Sequence, residues 1–181
     1  RDWRRLRHLP RADWGKAVAH SGLGITMLGV AGLMAWEQED IRVARVNEPF
    51  TVGAYEIELL GVSRIQGPNY FADRGEVSVR RDGAEVAHVY PEKRNYPVAA
   101  MPTTEAAIDN GFLRDVYVVL GDAQADRAWT MRVYVKPLAN WIWGGSLLMA
   151  LGGALSLSDR RFRVAAGARK TTPAPKGVPA E

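Results

Sequence analysis

The sequence contains no cysteine, which excludes a disulfide framework, a zinc knuckle and a thiol nucleophile within the chain. Any thiol chemistry must come from partners. There is no initiating methionine, and the opening RDWRRLRHLPR is arginine-rich without the apolar core and small-residue cleavage site of a secretory signal. The sequence therefore reads as a piece of a longer polypeptide. A basic patch suited to nucleic acid is also missing, because the net charge of +4 resolves into regions. Residues 1–36 hold six Lys/Arg against two acids and residues 137–181 again six against two, whereas residues 37–136 hold twelve against sixteen. Positively charged flanks stay on the cytoplasmic side of a membrane. Both termini are thus expected inside, with the middle across the membrane, in the periplasm of a Gram-negative bacterium.

What is present is organised around Trp14 to Trp36, reading WGKAVAHSGLGITMLGVAGLMAW. A spanning helix needs roughly 20 predominantly apolar residues, and the two tryptophans would lie about 33 Å apart along it. The segment carries His20, and ionisable groups inside a span are costly and mark ligands, ion pathways or proton relays. Imidazole is also the standard axial ligand of haem iron. Gly15, Ala19, Gly22, Thr26 and Gly29 form a seam of small residues at alternating steps of four and three. Such a seam admits either a neighbouring helix, with His20 donating one hydrogen bond to it, or a flat macrocycle.

From Ile41 to Lys136 the pattern becomes strand-like alternation, and helix patterns are nearly absent. Arg81-Asp82-Gly83 separates Val77–Arg80 from Glu85–Tyr90 as a hairpin signal, and Val116–Leu120 with Ala128–Val135 forms a second pair around Gly121-Asp122. About six to eight short strands are expected, a compact β sandwich or open barrel of about 100 residues. His88 falls on one strand as an ordinary satisfied or exposed histidine, and His8 among arginines as a solvated one. Pro91 to Asp122 is dense in prolines and charges and is expected to wander over the sheet, with Thr103-Thr104-Glu105 capping a short helix that ends at Asn110-Gly111. Nothing in the sequence brings its acids Glu92, Glu105 and Asp109 together as a catalytic pair.

A second apolar segment follows Pro137, with Trp141 and Trp143 as an outer aromatic belt and Gly145, Met149, Gly152 and Ser156 as a second seam. The fold class expected is a membrane protein with two transmembrane helices flanking a small all-β periplasmic domain. Its divisions are a cytoplasmic arm 1–13, a helix 14–36, the β domain 37–136, a helix 137–158, and a disordered cytoplasmic tail 159–181.

Taken together, WGKAVAHSGLG, PEKRNYPVAAMPTTEAAID, RDVYVVLGD and KPLANWIWGGSLLMALGGALSLSDRR resemble the C-terminal portion of the CcmF family, the haem lyase subunits of bacterial system I cytochrome c maturation. The related NrfE-type lyases for nitrite reductase share much of this pattern. The resemblance implies that His20, in the AH.G segment, is one of two membrane ligands of a permanent haem b. The second ligand, the tryptophan-rich haem-handling motif and its flanking histidines would lie outside this chain. It also implies that the complete protein, in the inner membrane, takes haem from CcmE, works with CcmH, and attaches the haem to the CXXCH cysteines of apocytochrome c. Within such a complex Pro91–Asp122 can serve as a docking and haem-shielding surface. Lys93, Arg94 and Arg114 would pair with haem propionates or partner carboxylates, and Tyr96, Met101 and Ile108 would give apolar contact. The competing readings are a segment that merely covers the β core and, for the whole chain, a non-catalytic membrane scaffold that docks maturation partners, in which His20 is interhelical glue.

Overall fold

The computed structural model describes residues 10–98 and 101–159. The expected arm before Pro10 with His8, and the tail beyond Asp159, lie outside the described residues. The chain divides into two compact units, one drawn from residues 1–23 and 146–181 and the other comprising residues 24–145. Two long helices, α1 (Arg11–Trp36) and α2 (Ala139–Leu157), contribute to both units. Among the described residues, α1 is the one helix long and apolar enough to cross a membrane. The 19 residues of α2 include Asn140 and the pairs Gly144-Gly145 and Gly152-Gly153.

The larger unit is a two-sheet β sandwich. Its strands are β1 (Gln38–Arg45), β2 (Phe50–Val52), β3 (Tyr55–Gln66), β4 (Phe71–Arg81), β5 (Ala84–Val89), β6 (Glu92–Tyr96), β7 (Met101–Glu105), β8 (Ala107–Asn110), β9 (Arg114–Ala123) and β10 (Ala128–Pro137). One sheet has the order β1-β10-β9-β8; the other has β2-β3-β4-β6-β7, with β5 also paired to β4. Period-two alternation turns Ile57, Leu59, Val77 and Val79 of one sheet and Val116, Val118, Leu120, Met131 and Val133 of the other into a fully buried core. The β4–β5 hairpin turns at Asp82 (φ 52°) and Gly83 (φ 79°). Two successive positive φ values suit the right-handed twist of the flanking strands, as the sequence reading expected.

Three expectations for the β domain are corrected. Ten strands form among the described residues, more than expected. The β9–β10 turn lies at residues 124–127, beyond Gly121-Asp122, because β9 continues to Ala123 and pairs it with Trp129. Thr103-Thr104-Glu105 caps no helix: residues 101–105 and 107–110 are strands β7 and β8, at the outer edges of the two sheets. Pairing of β7 with β6 and of β8 with β9 overrides the local capping preference. Pro102 is tolerated because an edge strand needs fewer ladder donors.

Between α1 and β1 there is a single residue, Glu37, whose carboxylate pairs with Lys136 at 3.4 Å. Strand β1 pairs antiparallel with β10 from Gln38↔Val135 to Arg45↔Ala128, so the last turns of α1 and the first turn of α2 are delivered side by side. Leu138 makes the bend into α2 with φ 56°, a left-handed conformation that costs a non-glycine residue about 1 kcal/mol or more. The bend is held by the Leu138 amide donating to the Leu113 carbonyl at 2.9 Å and the Leu138 carbonyl accepting from the Trp141 amide at 3.0 Å.

Candidate functional site

His20 is exposed, on the part of α1 that belongs to the smaller unit. In that unit Gly15 and Ala19 of α1 meet Gly152 and Ser156 of α2 at backbone distance. A Cβ on Gly15 would lie 2.5 Å from the Ser156 nitrogen, and one on Gly152 would lie 2.4 Å from the Ala19 nitrogen. The larger unit repeats the arrangement. A Cβ on Gly29 would lie 2.9 Å from the Ile142 nitrogen, and the Thr26 hydroxyl donates to the Ile142 carbonyl at 3.4 Å. At Gly15, Ala19, Thr26 and Gly29 the seam is therefore filled by α2 and not by a macrocycle. At 3.6 residues per turn His20 stands about 140° around the helix from the seam, so it is not interhelical glue to α2 either.

The ring of His20 is oriented by its own helix. Its Nδ1 lies 2.8 Å from the Lys16 carbonyl oxygen. A carbonyl only accepts, so Nδ1 carries the proton and Nε2 presents its lone pair away from that bond. A backbone-anchored Nδ1–H with a free Nε2 is the arrangement that metal-ligating histidines use to fix tautomer and ring orientation. Lys16 itself turns to Asp13, at 3.3 Å. The start of α1 is secured by a residue the sequence reading gave no role: the buried Asp159, just past α2, accepts from the Ala12 amide at 3.0 Å. A carboxylate there satisfies an otherwise unpaired N–H and complements the helix dipole.

The surface built from Pro91–Asp122 differs from the expectation in its charges. Lys93 pairs with Asp122, and Arg114 with Asp109 while also donating to the Tyr55 hydroxyl at 2.7 Å. Arg94 donates to Glu92 at 2.8 Å, approaches Glu105 at 3.5 Å and lies over the Tyr70 ring. All three cations are thus engaged in ion pairs within the domain. Glu92 is buried and receives, besides Arg94, a second arginine, Arg74, at 2.6 Å. Burial pushes the Glu92 carboxyl up, but the hydrogen bonds and charges of Arg94 and Arg74 outweigh it and hold it below the usual carboxylate range. Glu92 and Glu105 stand directly opposite on β6 and β7, where like charges repel; Arg94 between them removes the conflict. Asp109 is held apart from both, on Arg114. The acids form an ion-pair network, not a general acid and base. Tyr96 packs against Tyr70 with ring centroids 5.5 Å apart and planes tilted by 55°, while Met101 and Ile108 are exposed.

His88 bridges two strands, with Nδ1 3.1 Å from Glu85 and Nε2 3.0 Å from Glu76. The hydrogen bond to Glu85 is the largest influence on its pKa; burial opposes it, and the hydrogen bond to Glu76 with the charges of both carboxylates adds to it, leaving the pKa above the ordinary value. A raised folded pKa means that the pair stabilises fully below about pH 6.5 and that this contribution is lost as pH rises through the folded value. His88→Gln is therefore expected to shrink the loss of thermal stability between about pH 6 and about pH 8, read as the midpoint difference between the two conditions.

A two-sheet sandwich followed and preceded by apolar helices, one of which presents a histidine with an uncommitted Nε2, defines the class to which the chain conforms. Residues 35–137 match the family of CcmF C-terminal beta-sandwich domains, and the chain belongs to the CcmF family. It is 60% identical over 168 residues to a cytochrome c-type biogenesis protein, ccl1, of Rhodobacter capsulatus, covering 93% of this chain and 26% of that protein. It is 44% identical over 159 residues to the cytochrome c-type biogenesis protein CcmF of Pseudomonas aeruginosa, covering 87% and 24%. The match to NrfE of Haemophilus influenzae is weaker, 33% over 160 residues, covering 88% and 25%. The fold also matches a solved cytochrome c haem lyase CcmF with a TM-score of 0.67 at 20% identity, over 82% of this chain and 25% of that one. The chain thus spans about a quarter of the length of these relatives.

Proposed function

We propose that this chain is the C-terminal part of a CcmF-type haem lyase and supplies, through His20 Nε2, one axial ligand of a membrane haem b. The observation that carries the reading is the bond from Nδ1–H to the Lys16 carbonyl, which leaves Nε2 as the ring nitrogen available to a ligand on an exposed helix face. That donor chemistry fits haem iron. A histidine outside this chain completes the pair of ligands. Bound there, haem b supplies one-electron chemistry that keeps the substrate haem reduced. The substrate haem comes from CcmE and is joined to the CXXCH cysteines of apocytochrome c, with CcmH as a further partner. The absence of cysteine from this chain accords with thiols being brought by those proteins. Membrane lipid surrounds α1 and α2, both termini face the cytoplasm, and the β domain lies in the periplasm of the inner membrane. Higher identity to CcmF-type relatives than to NrfE favours apocytochrome c over nitrite reductase as the substrate. Partner contact by the β domain falls to the exposed apolar residues Met101 and Ile108 with Tyr96, because the neighbouring cations are already paired.

The test is His20→Ala in the complete protein in membranes. Loss of the low-spin haem b spectrum and of cytochrome c yield, at unchanged protein abundance, is the expected result. A normal spectrum and haem occupancy would sink the ligand assignment and favour a scaffold.

A further inference from the structure

The loop that joins β8 to β9, residues 111–113, exposes two large apolar side chains in succession, Phe112 (78% exposed) and Leu113 (60%). It is fastened to the first turn of α2 by every one of its carbonyls. Gly111 accepts from the Asn140 side chain at 2.8 Å, Phe112 from the Trp141 indole N–H at 3.0 Å, and Leu113 from the Leu138 amide at 2.9 Å. On the other side the Gly111 amide donates to the buried Asp115, at 3.1 Å, which also accepts from Asn140. In water an exposed loop needs no such provision, since solvent satisfies its carbonyls. Among lipid chains an unpaired carbonyl is costly, and irregular backbone is tolerated only where protein donors satisfy it. Beside the loop lies an apolar cavity of about 260 Å³ lined by Ile25, Phe112, Asn140, Trp141 and Gly144. Ile25 belongs to the helix that is long and apolar enough to span.

We propose that residues 111–113 form a membrane-inserted wedge: Phe112 and Leu113 lie among acyl chains of the leaflet on the β-domain side, and the adjoining cavity takes an acyl chain. This rests on the reading of α1 and α2 as membrane helices. Within it, the wedge sets the depth of the sandwich against the bilayer, because the loop is tied to α2 by hydrogen bonds from Asn140, Trp141 and Leu138. The nearest cation, Arg114, is withdrawn from the lipid by Asp109 and Tyr55.

The test replaces Phe112 by p-benzoylphenylalanine in the complete protein in native membranes, with Leu113 as a second position and the fully exposed Val98 as a control. After washing in alkaline carbonate and irradiation, peptides containing residue 112 or 113 are expected to carry phospholipid adducts several-fold more often than those containing residue 98. Extraction by carbonate would defeat the spanning reading of the helices and the wedge with it. Retention in the membrane with a polypeptide adduct, or with no lipid adduct at either position, would overturn the wedge alone.

Discussion

Gly152→Ala is expected to destabilise the helix pair by about 1–3 kcal/mol, whereas Gly153→Ala, one residue along, is expected to be neutral or stabilising by up to about 1 kcal/mol. Alanine ordinarily favours a helix over glycine, so intrinsic propensity predicts a gain at both positions. Space decides the sign. A Cβ on Gly153 meets nothing within 4 Å, but one on Gly152 lies 2.4 Å from the Ala19 nitrogen and 2.7 Å from the Gly15 carbonyl oxygen. These are backbone atoms, which cannot rotate aside as the end of a flexible side chain does, so α1 and α2 must separate there. Gly15→Ala strikes the same interface, 2.5 Å from the Ser156 nitrogen. Once one substitution has parted the helices the second finds room, so the double variant should cost less than the sum of the two. Thermal unfolding of the chain in detergent measures all four; equal midpoints for Gly152→Ala and Gly153→Ala would show that the close approach has no energetic weight.

Glu92→Ala is expected to cost about 1–3 kcal/mol and to flatten the acid limb of the stability curve. The carboxylate is 6% exposed and joins two arginines from separate positions on β4 and β6. Removing it leaves Arg74 and Arg94 side by side without the charge between them. The cost is held below that of a fully buried pair because the arginine side chains remain 43% and 28% exposed and are partly screened by water. The folded carboxyl has a lowered pKa, so its contribution is present above the unfolded value of about 4.3 and is lost as pH falls through the lower folded value. Wild type should therefore lose more stability over that acid window than Glu92→Ala or Glu92→Gln, which keep only the slope due to other carboxylates such as Glu85. Equal acid slopes in wild type and both variants would exclude Glu92 as the group responsible. Arg94→Glu would be worse than alanine, since it sets a third carboxylate against Glu92 and Glu105.

The helices and their seam were legible because both signals are local: spacing of small residues along one segment maps directly onto one helix face. The Asp82-Gly83 hairpin was legible for the same reason, as two residues supply both positive φ values. Strands β7 and β8 were not, because Thr103-Thr104-Glu105 and Asn110-Gly111 read as the cap and end of a short helix until the partners β6 and β9 are known. The charge network failed to show in the sequence on similar grounds. Arg74 and Glu92 are 18 residues apart, and Arg114 and Tyr55 59 apart, so only strand pairing reveals that these groups bond to one another. His20 was picked out by its hydrophobic neighbours, whereas its orientation away from α2 and its tautomer needed coordinates.

The pairing of β1 with β10 has a temporal consequence. The first strand of the sandwich has no other partner in its sheet than the last one, which lies about 90 residues later in the chain. During synthesis the N-terminal segments emerge first, so β1 must wait with an unpaired edge while the intervening strands appear, and a waiting edge is open to wrong partners. Completion of the sheet and arrival of α2 beside the end of α1 then fall in the same step, since β10 ends where α2 begins. A nascent chain halted before residue 128 would hold neither, and would leave facing edges of both β1 and β9 unpaired.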